Sequence, residues 1–145
     1  MTYLPAGYLI TDISRLARQI FFQRRTDKQL SQSQGRAIGL LAIREGIRQV
    51  ELAELMELTP MSVMRVVDQL VELDLIERRQ DTSDRRAFLL YLRPAAHQQL
   101  AKIEQESETL WHEVLKTFGP EKIEDFIQAL EEVRNNLSAI KHRQN

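Results

Sequence analysis

The chain has 145 residues, a length typical of one compact domain or of one domain with a short oligomerisation element. Its 20 Lys and Arg residues are balanced by 21 Asp and Glu, and the formal net charge of −1 argues against a protein held to nucleic acid by bulk positive charge. The absence of Cys excludes a disulfide framework, a zinc site that uses Cys, and a sensor based on a thiol.

The apolar segments of the chain are short. None of them approaches the roughly 20 residues that a membrane span needs. The first part of the chain carries Asp12 and has no basic segment ahead of an apolar core, unlike a secretory signal. We therefore expect a cytoplasmic protein without membrane association.

Glycine and proline are sparse, and the long stretches without them favour helices. Apolar residues that alternate between steps of four and three predict a first helix over residues 8–28; they are Leu9, Ile13, Leu16 and Ile20. Ser31 and Gln34 have the spacing of a capping box, which predicts a second helix that ends near Gly46.

Two further helices are predicted in the middle of the chain. Residues 49–56 are amphipathic, and a helix over residues 60–73 follows. Thr59 supplies the N-cap of the latter, and Pro60 occupies the first helical position, where its missing N–H costs nothing. Two helices joined by the short link of residues 57–59 have the spacing of a helix-turn-helix.

The pattern then changes to short β-prone runs. Residues 75–76 and 88–92 flank the polar loop of residues 80–86, and this arrangement predicts a β-hairpin. A hairpin that directly follows a helix-turn-helix indicates a winged helix; a solvated hairpin without function is the alternative.

The last third of the chain returns to helix. One helix is predicted from Pro94 to about residue 118, and another from Pro120 to about residue 141. Apolar residues in both repeat at alternating steps of three and four, the seam of long helices packed side by side. Together with the first helix, these two helices favour a dimerisation module shared between two copies of the chain. A helical bundle within one chain is the alternative.

The sequence does not favour an enzyme. Two of the three histidines, His97 and His112, are fifteen residues apart on one predicted helix, about 22 Å at the helical rise, so they cannot share a metal within one chain. The chain has no nucleophile elbow, P-loop or His-Glu-x-x-His motif. We expect no catalytic residue, no cofactor and no metal, although a metal site shared between two copies stays open.

The helix predicted over residues 60–73 has the character of a recognition helix. Its apolar side is centred between Val63 and Leu70, and its opposite side and flanks present polar and thioether groups that can contact base edges. The residues predicted to face a major groove are Pro60, Met61, Ser62, Met64, Arg65 and Gln69. A solvated helix face is the alternative.

The loop of the predicted hairpin carries the residues of a wing. In an extended arm the side chains of Asp84 and Arg86 share a face, so the carboxylate can hold the guanidinium in a fixed direction. A projecting arginine suits a narrow, A·T-rich minor groove, and Arg85 lies beside it. Candidate phosphate contacts at the strands are Arg78, Arg79 and Arg93.

These motifs together resemble the MarR family of bacterial transcription regulators, and within it the SlyA-like branch. The Asp-Arg-Arg-Ala sequence of the wing, placed sixteen residues after the Arg-x-x-Asp of the recognition helix, is the specific part. The matching segments are residues 30–34, 49–53, 62–70, 75–78 and 81–87. Asp74 stands where the family usually has Gly, and it tolerates the left-handed conformation better than most residues.

The resemblance implies a mainly α-helical fold with a small β-hairpin wing. Residues 1–30 would form an N-terminal dimerisation helix, residues 31–93 a winged helix-turn-helix DNA-binding domain, and residues 94–145 the C-terminal dimerisation helices. Ser62 and Arg65 would contact the major groove and Arg86 the minor groove, with Asp84 orienting the wing.

The function implied is that of a repressor or anti-repressor that binds double-stranded DNA as a homodimer at a pseudo-palindromic operator. Family members often respond to small aromatic anions, for which Tyr8 and Trp111 are candidate pocket residues; ordinary interface packing is the alternative for both. The competing class is a winged-helix module that binds another protein instead of DNA.

Overall fold

The computed structural model describes residues 3–26 and 29–144. This part of the chain is mainly helical with a small antiparallel sheet, which confirms the predicted fold class. The elements are α1 (Leu4–Arg24), α2 (Gln32–Ile43), β1 (Ile47–Arg48), α3 (Gln49–Met56), α4 (Pro60–Glu72), β2 (Ile76–Gln80), β3 (Phe88–Leu92), α5 (Pro94–Val114) and α6 (Pro120–Gln144).

The two predicted helix starts in the helix-turn-helix region are confirmed. At α2, the backbone N–H of Gln34 donates to Ser31 Oγ over 3.2 Å, and the N–H of Ser31 donates to Gln34 Oε1 over 2.8 Å. At α4, Thr59 Oγ1 accepts from the N–H of Ser62 over 3.2 Å, with Pro60 in the first turn. Each side chain satisfies a helix amide that has no partner within its own helix.

The predicted boundaries of two helices are wrong. α1 begins at Leu4 and ends at Arg24, because Pro5 fits the first turn and Arg25 is already extended at ψ 125; the predicted end at residue 28 lies outside the described residues. α5 ends at Val114, several residues before the predicted end near 118, and a turn leads from it to α6.

The sheet contains the predicted hairpin and one strand that the sequence did not predict. The strand order is β1-β3-β2, with antiparallel pairs that place Leu90 between Ile47 and Arg78. β1 has two residues, too few to show the alternation by which a strand is recognised. Asp74, just before β2, adopts the left-handed φ of 57° that its position requires.

The hydrophobic core positions the helix-turn-helix and the sheet against each other. It is built from α2, α3, α4 and the strands, and each fully buried aliphatic side chain contributes about 1.5–3 kcal/mol. Its largest buried side chains are Ile38, Leu41, Leu52, Met56, Leu70, Ile76, Leu90, Val63 and Val67. Contacts divide the chain into two compact units, one that ends at Ser107 and one that begins at Glu108.

The apolar sides of α1 and α6 are open in the described part of a single chain. Neither helix contains a buried residue, and on α1 Leu4 is 81% and Tyr8 68% exposed. On α6, Leu130, Val133, Leu137 and Ile140 of the predicted seam are exposed as well. The described part of a single chain therefore leaves these apolar faces uncovered.

Candidate nucleic-acid interface

α4 separates a buried side from an exposed one. Val63, Val66, Val67 and Leu70 pack into the core, and this leaves the predicted recognition residues on the surface. All six members of that set are exposed: Pro60 at the first helical position, and Met61, Ser62, Met64, Arg65 and Gln69. The apolar anchors therefore fix which side of α4 faces outward.

The polar groups near the N-terminal end of α4 are ready to donate hydrogen bonds. Thr59 Oγ1 donates to Ser62 Oγ over 2.9 Å, so the hydroxyl hydrogen of Ser62 is available to a ligand. The side chain of Arg65 hydrogen-bonds to none of the described residues. Both groups can reach acceptors on a base edge or a phosphate.

The base of the wing loop is organised around Asp81. Its carboxylate accepts from the N–H of Ser83 over 2.9 Å, from Ser83 Oγ over 2.7 Å, and from Arg48 Nη2 over 2.8 Å. The Ser83 amide first, and then Arg48 and the Ser83 hydroxyl, lower the pKa of Asp81 to about 2. The carboxylate is therefore charged at neutral pH and holds the loop in a turn.

The expected side-chain pair between Asp84 and Arg86 is replaced by a different arrangement. Asp84 Oδ1 accepts from the backbone N–H of Arg86 over 3.1 Å, and Asp84 Oδ2 lies 3.9 Å from Arg48 Nη1. The segment is a turn, closed by a 2.9 Å bond from the N–H of Ala87 to Asp84 O, and not the extended arm that the prediction assumed.

Arg85 and Arg86 stand at the tip of this turn. Both are exposed, and their side chains pair with no described residue. Asp84 thus shapes the backbone that carries Arg86 and leaves the guanidinium free. The role of these residues in a minor groove stays a prediction.

The three arginines predicted to meet phosphates are engaged within the chain. Arg78 is ion-paired with Asp68 of α4 and also donates to Gln49 over 3.3 Å. Arg79 pairs with Glu77 and lies 4.1 Å from the centre of the Tyr91 ring, a cation–π contact. A phosphate would have to compete with these partners.

Arg93 is held by two carboxylates. Its Nη1 donates to Glu77 Oε2 over 2.9 Å, and its Nε lies 2.9 Å from Asp74 Oδ1. Hydrogen bonds from Arg79 and Arg93 lower the pKa of Glu77. The predicted phosphate contacts of the strand arginines remain predictions, and the structure gives each of them a role in fixing the wing.

Sequence reasoning missed two arginines that position the interface. Arg36 of α2 donates to Met56 O over 2.9 Å and to Leu55 O over 3.3 Å, and so satisfies the last carbonyls of α3. Arg48 occupies the N-cap of α3, where a guanidinium cannot accept from the helix amides, and reaches the wing instead. An arginine at an N-cap position is the signal that could have pointed to it.

The predicted effector residues lie in different units. Tyr8 is exposed on α1 in the first unit, and Trp111 is half-buried on α5 in the second. Within residues 3–26 and 29–144, no three His, Asp or Glu residues are grouped as a metal site would require. None of the described helices combines the length and the apolarity needed to cross a membrane.

A helix-turn-helix whose second helix is followed at once by a β-hairpin defines a winged helix-turn-helix protein. The model of the MarR family matches residues 30–88, from just before α2 to the first residue of β3. This match covers the motifs of α4 and the wing, and it makes the winged helix of this chain similar to the MarR family.

Individual known proteins are also similar to the chain. A Thauera aromatica protein, provisionally named as the transcriptional regulatory protein for the hcr operon, is 39% identical over 66 residues, which span 46% of this chain and 40% of that protein. A crystal structure of MarR has a TM-score of 0.81 at 21% identity, covering 94% of this chain and 93% of its own. The transcriptional regulator SlyA has a TM-score of 0.73 at 21% identity, covering 92% of this chain and 94% of its own; these two likenesses show the fold.

Proposed function

We propose that the chain regulates transcription by binding double-stranded DNA, with α4 in the major groove and the wing between β2 and β3 in the adjacent minor groove. No enzymatic step is part of the proposal, and the DNA target implies action in the cytoplasm. The observation that carries it is the distribution of partners among the arginines. The side chains of Arg65, Arg85 and Arg86 pair with no described residue, whereas Arg78, Arg79 and Arg93 are paired.

This distribution favours a DNA ligand over a solvated surface. Two arginines placed side by side at a turn repel each other, and neither side chain is paired with a carboxylate among the described residues. A narrow minor groove with its negative potential would offset it. On α4, an unpaired guanidinium can contact guanine through two hydrogen bonds.

The proposed binding unit is a homodimer. The open apolar sides of α1 and α6 support it, because such faces are covered in a stable assembly. Two symmetric winged helices would place their recognition helices about 34 Å apart, one turn of DNA, and so require a pseudo-palindromic operator.

Selection of bound fragments from genomic DNA, followed by titration of the selected duplex, tests the proposal. Arg65→Ala is expected to weaken binding about tenfold or more through the central half-site, since a bidentate base contact is worth about 1–3 kcal/mol. Arg86→Ala is expected to weaken binding most at A·T-rich flanks. Arg134→Ala on α6 removes the same charge outside the winged helix and serves as the control.

The competing class, a protein-interaction module, predicts a different result. Binding anchored by phosphates loses orders of magnitude in affinity between low and moderate salt. Failure of the wild-type protein to shift any duplex at low salt would rule out the proposed DNA function and favour the interaction module.

We further propose that operator binding represses transcription and that a small aromatic anion releases it. The similarity of residues 30–88 to the MarR family supports this step. A reporter gene placed behind the selected operator checks the direction of regulation, and a ligand screen that follows DNA release checks the effector. Activation of the reporter by the bound protein would contradict repression.

A further inference from the structure

Three exposed residues of α4 line one side of the helix. Ser62, Arg65 and Gln69 are separated by three and four positions, so they lie in a row over two turns. The recognition helix of a homeodomain contacts bases through residues at the same separations of three and seven. Gln69 is therefore placed to reach a base beyond the one that Arg65 contacts.

We propose that Gln69 contacts base edges in the major groove as a hydrogen-bond donor, and that Gln34 of α2 determines which end of the Gln69 amide faces the groove. The proposal rests on the DNA-binding function proposed above and adds the base class that this position recognises. Guanine, with two acceptors, and thymine, with O4, fit such a donor, whereas the amino group of cytosine does not.

Three hydrogen-bonding groups in series, the Ser31 N–H and the amides of Gln34 and Gln69, fix the orientation of both amides. The backbone N–H of Ser31 can only donate, so the Gln34 atom that faces it over 2.8 Å must be the carbonyl oxygen Oε1. The other end of that amide, Gln34 Nε2, then faces Gln69 over 3.0 Å and can only donate. The Gln69 atom that meets it must be the oxygen Oε1.

The consequence for Gln69 is that its oxygen is bound to α2 and its NH2 group remains for a ligand. A rotation of the Gln69 amide by half a turn would set two NH2 groups against each other and lose the bond to Gln34. Rotation of both amides would set the Gln34 NH2 group against the Ser31 amide and lose the capping box of α2. The orientation of Gln69 is thus tied to the start of a different helix.

The substitution Gln34→Glu reverses the polarity while it keeps the cap. One carboxylate oxygen can accept from the Ser31 amide, because glutamate serves in a capping box as glutamine does. The second oxygen also accepts, so Gln69 must turn its NH2 group towards α2 and its oxygen towards the groove. The preferred base then changes to cytosine, which presents only an amino donor in the major groove, whereas adenine also has the N7 acceptor and fits either orientation.

The experiment compares base preference at the position that Gln69 contacts. An operator is selected from a random duplex library with the wild-type protein, and dissociation constants are measured for all four base pairs at each position of the half-site. The wild type is expected to favour guanine or thymine over cytosine about tenfold at one position, which Gln69→Ala abolishes. Gln34→Glu is expected to raise the relative affinity for cytosine at that same position.

Gln32→Glu is the matched control, because it adds the same charge to the exposed first turn of α2 without touching Gln69. It is expected to lower affinity for all four base pairs alike. Thermal melting of each variant establishes that it folds. Gln34→Met, which removes the bond to Gln69 without adding a charge, is expected to flatten the preference without reversing it.

Two results overturn the proposal. If the wild type binds its operator but Gln34→Glu and Gln69→Ala leave the ranking of bases unchanged, Gln69 does not read the groove and the DNA-binding function stands. If the wild type selects no sequence at all, the proposed function fails and this inference fails with it.

Discussion

Arg48 and Asp81 are 33 positions apart in the sequence and are joined by a hydrogen bond of 2.8 Å between Nη2 and Oδ2. Arg48 stands at the start of α3, and Asp81 stands at the end of β2, where the wing loop begins. The guanidinium also lies 3.9 Å from Asp84 in the turn that carries Arg86. One side chain thus links the first helix of the helix-turn-helix to the loop of the wing.

Removal of this link is expected to misplace the wing arginines. Arg48→Met keeps the aliphatic stem but loses both carboxylate contacts, so we expect weaker binding chiefly to operators with A·T-rich flanks, by less than Arg86→Ala causes. Arg44→Met, which removes an equally charged exposed residue at the end of α2, is the control. Equal losses for the two variants on every flank would show that charge alone, and not the position of the wing, is responsible.

The pH dependence of stability is expected to report on Asp81. Its folded pKa of about 2 lies below the ordinary 3.8, so the ionised carboxylate stabilises the fold above the ordinary pKa, and this contribution is lost as pH falls towards 2. The difference in the free energy of unfolding between wild type and Asp81→Asn should therefore be constant from neutral pH to about pH 5 and shrink below it. Urea unfolding at a series of pH values measures the difference, and a constant difference down to pH 3 would contradict the assignment.

The buried ion pair of Arg25 and Glu106 is expected to be sensitive to the loss of one partner. The Arg25 side chain is 2% exposed, its Nε lies 2.9 Å from Glu106 Oε2, and its Nη2 is buried without a hydrogen bond. Glu106→Leu leaves this cation uncompensated and should destabilise the fold by about 3 kcal/mol. Urea denaturation measures the change.

Two companion variants identify the cause. Arg25→Met combined with Glu106→Leu should recover much of the lost stability, because no charge then remains buried. Glu104→Leu, at an exposed position of the same helix, should change stability by no more than about 0.5 kcal/mol. A double variant as unstable as Glu106→Leu would mean that the loss came from packing.

Gly46 is expected to resist substitution. Its φ is +76°, and a Cβ atom there would lie 2.9 Å from Tyr91 Oη. Gly46→Ala should therefore cost about 1–3 kcal/mol from backbone strain and the close contact. Gly39→Ala, inside α2 with nothing within 4 Å of a new Cβ, should be neutral or stabilising by up to about 1 kcal/mol.

Tyr91→Phe separates the two contributions at Gly46. It removes the hydroxyl that a new Cβ would meet and keeps the ring carbon Cζ at 3.2 Å, so Gly46→Ala should cost less in that background by the part that the hydroxyl contributes. Thermal melting of the wild type, the two single variants and the double variant gives the coupling free energy between the two substitutions. Strict additivity would show that the hydroxyl contact contributes nothing to the cost.

The sequence was a good guide where a feature depends on neighbouring residues. The capping box of Ser31 and Gln34 and the Thr59 cap each join residues three apart, and the structure contains both. The hairpin of the wing was also placed correctly, since its strands flank a polar loop in the sequence. Local hydrogen-bonding chemistry fixes such features before any tertiary contact forms.

The features that were missed depend on residues far apart. Neither the pairing of Arg48 with Asp81 nor the bond between Gln34 and Gln69 can be found by spacing, because the core brings their elements together. Asp84 shows a second limit. The prediction assumed an extended arm, and the turn closed by Ala87 changed which group of Arg86 the carboxylate meets.

The open apolar sides of α1 and α6 have a consequence for how stability is measured. A partner that covers these helices in the folded state, and not in the unfolded one, contributes its binding free energy to the fold, about 2.7 kcal/mol when it is present at one hundred times its dissociation constant. When the partner is a second copy of the chain, dilution alone lowers the melting temperature. For such a chain, a melting temperature has a meaning only together with the protein concentration at which it was recorded.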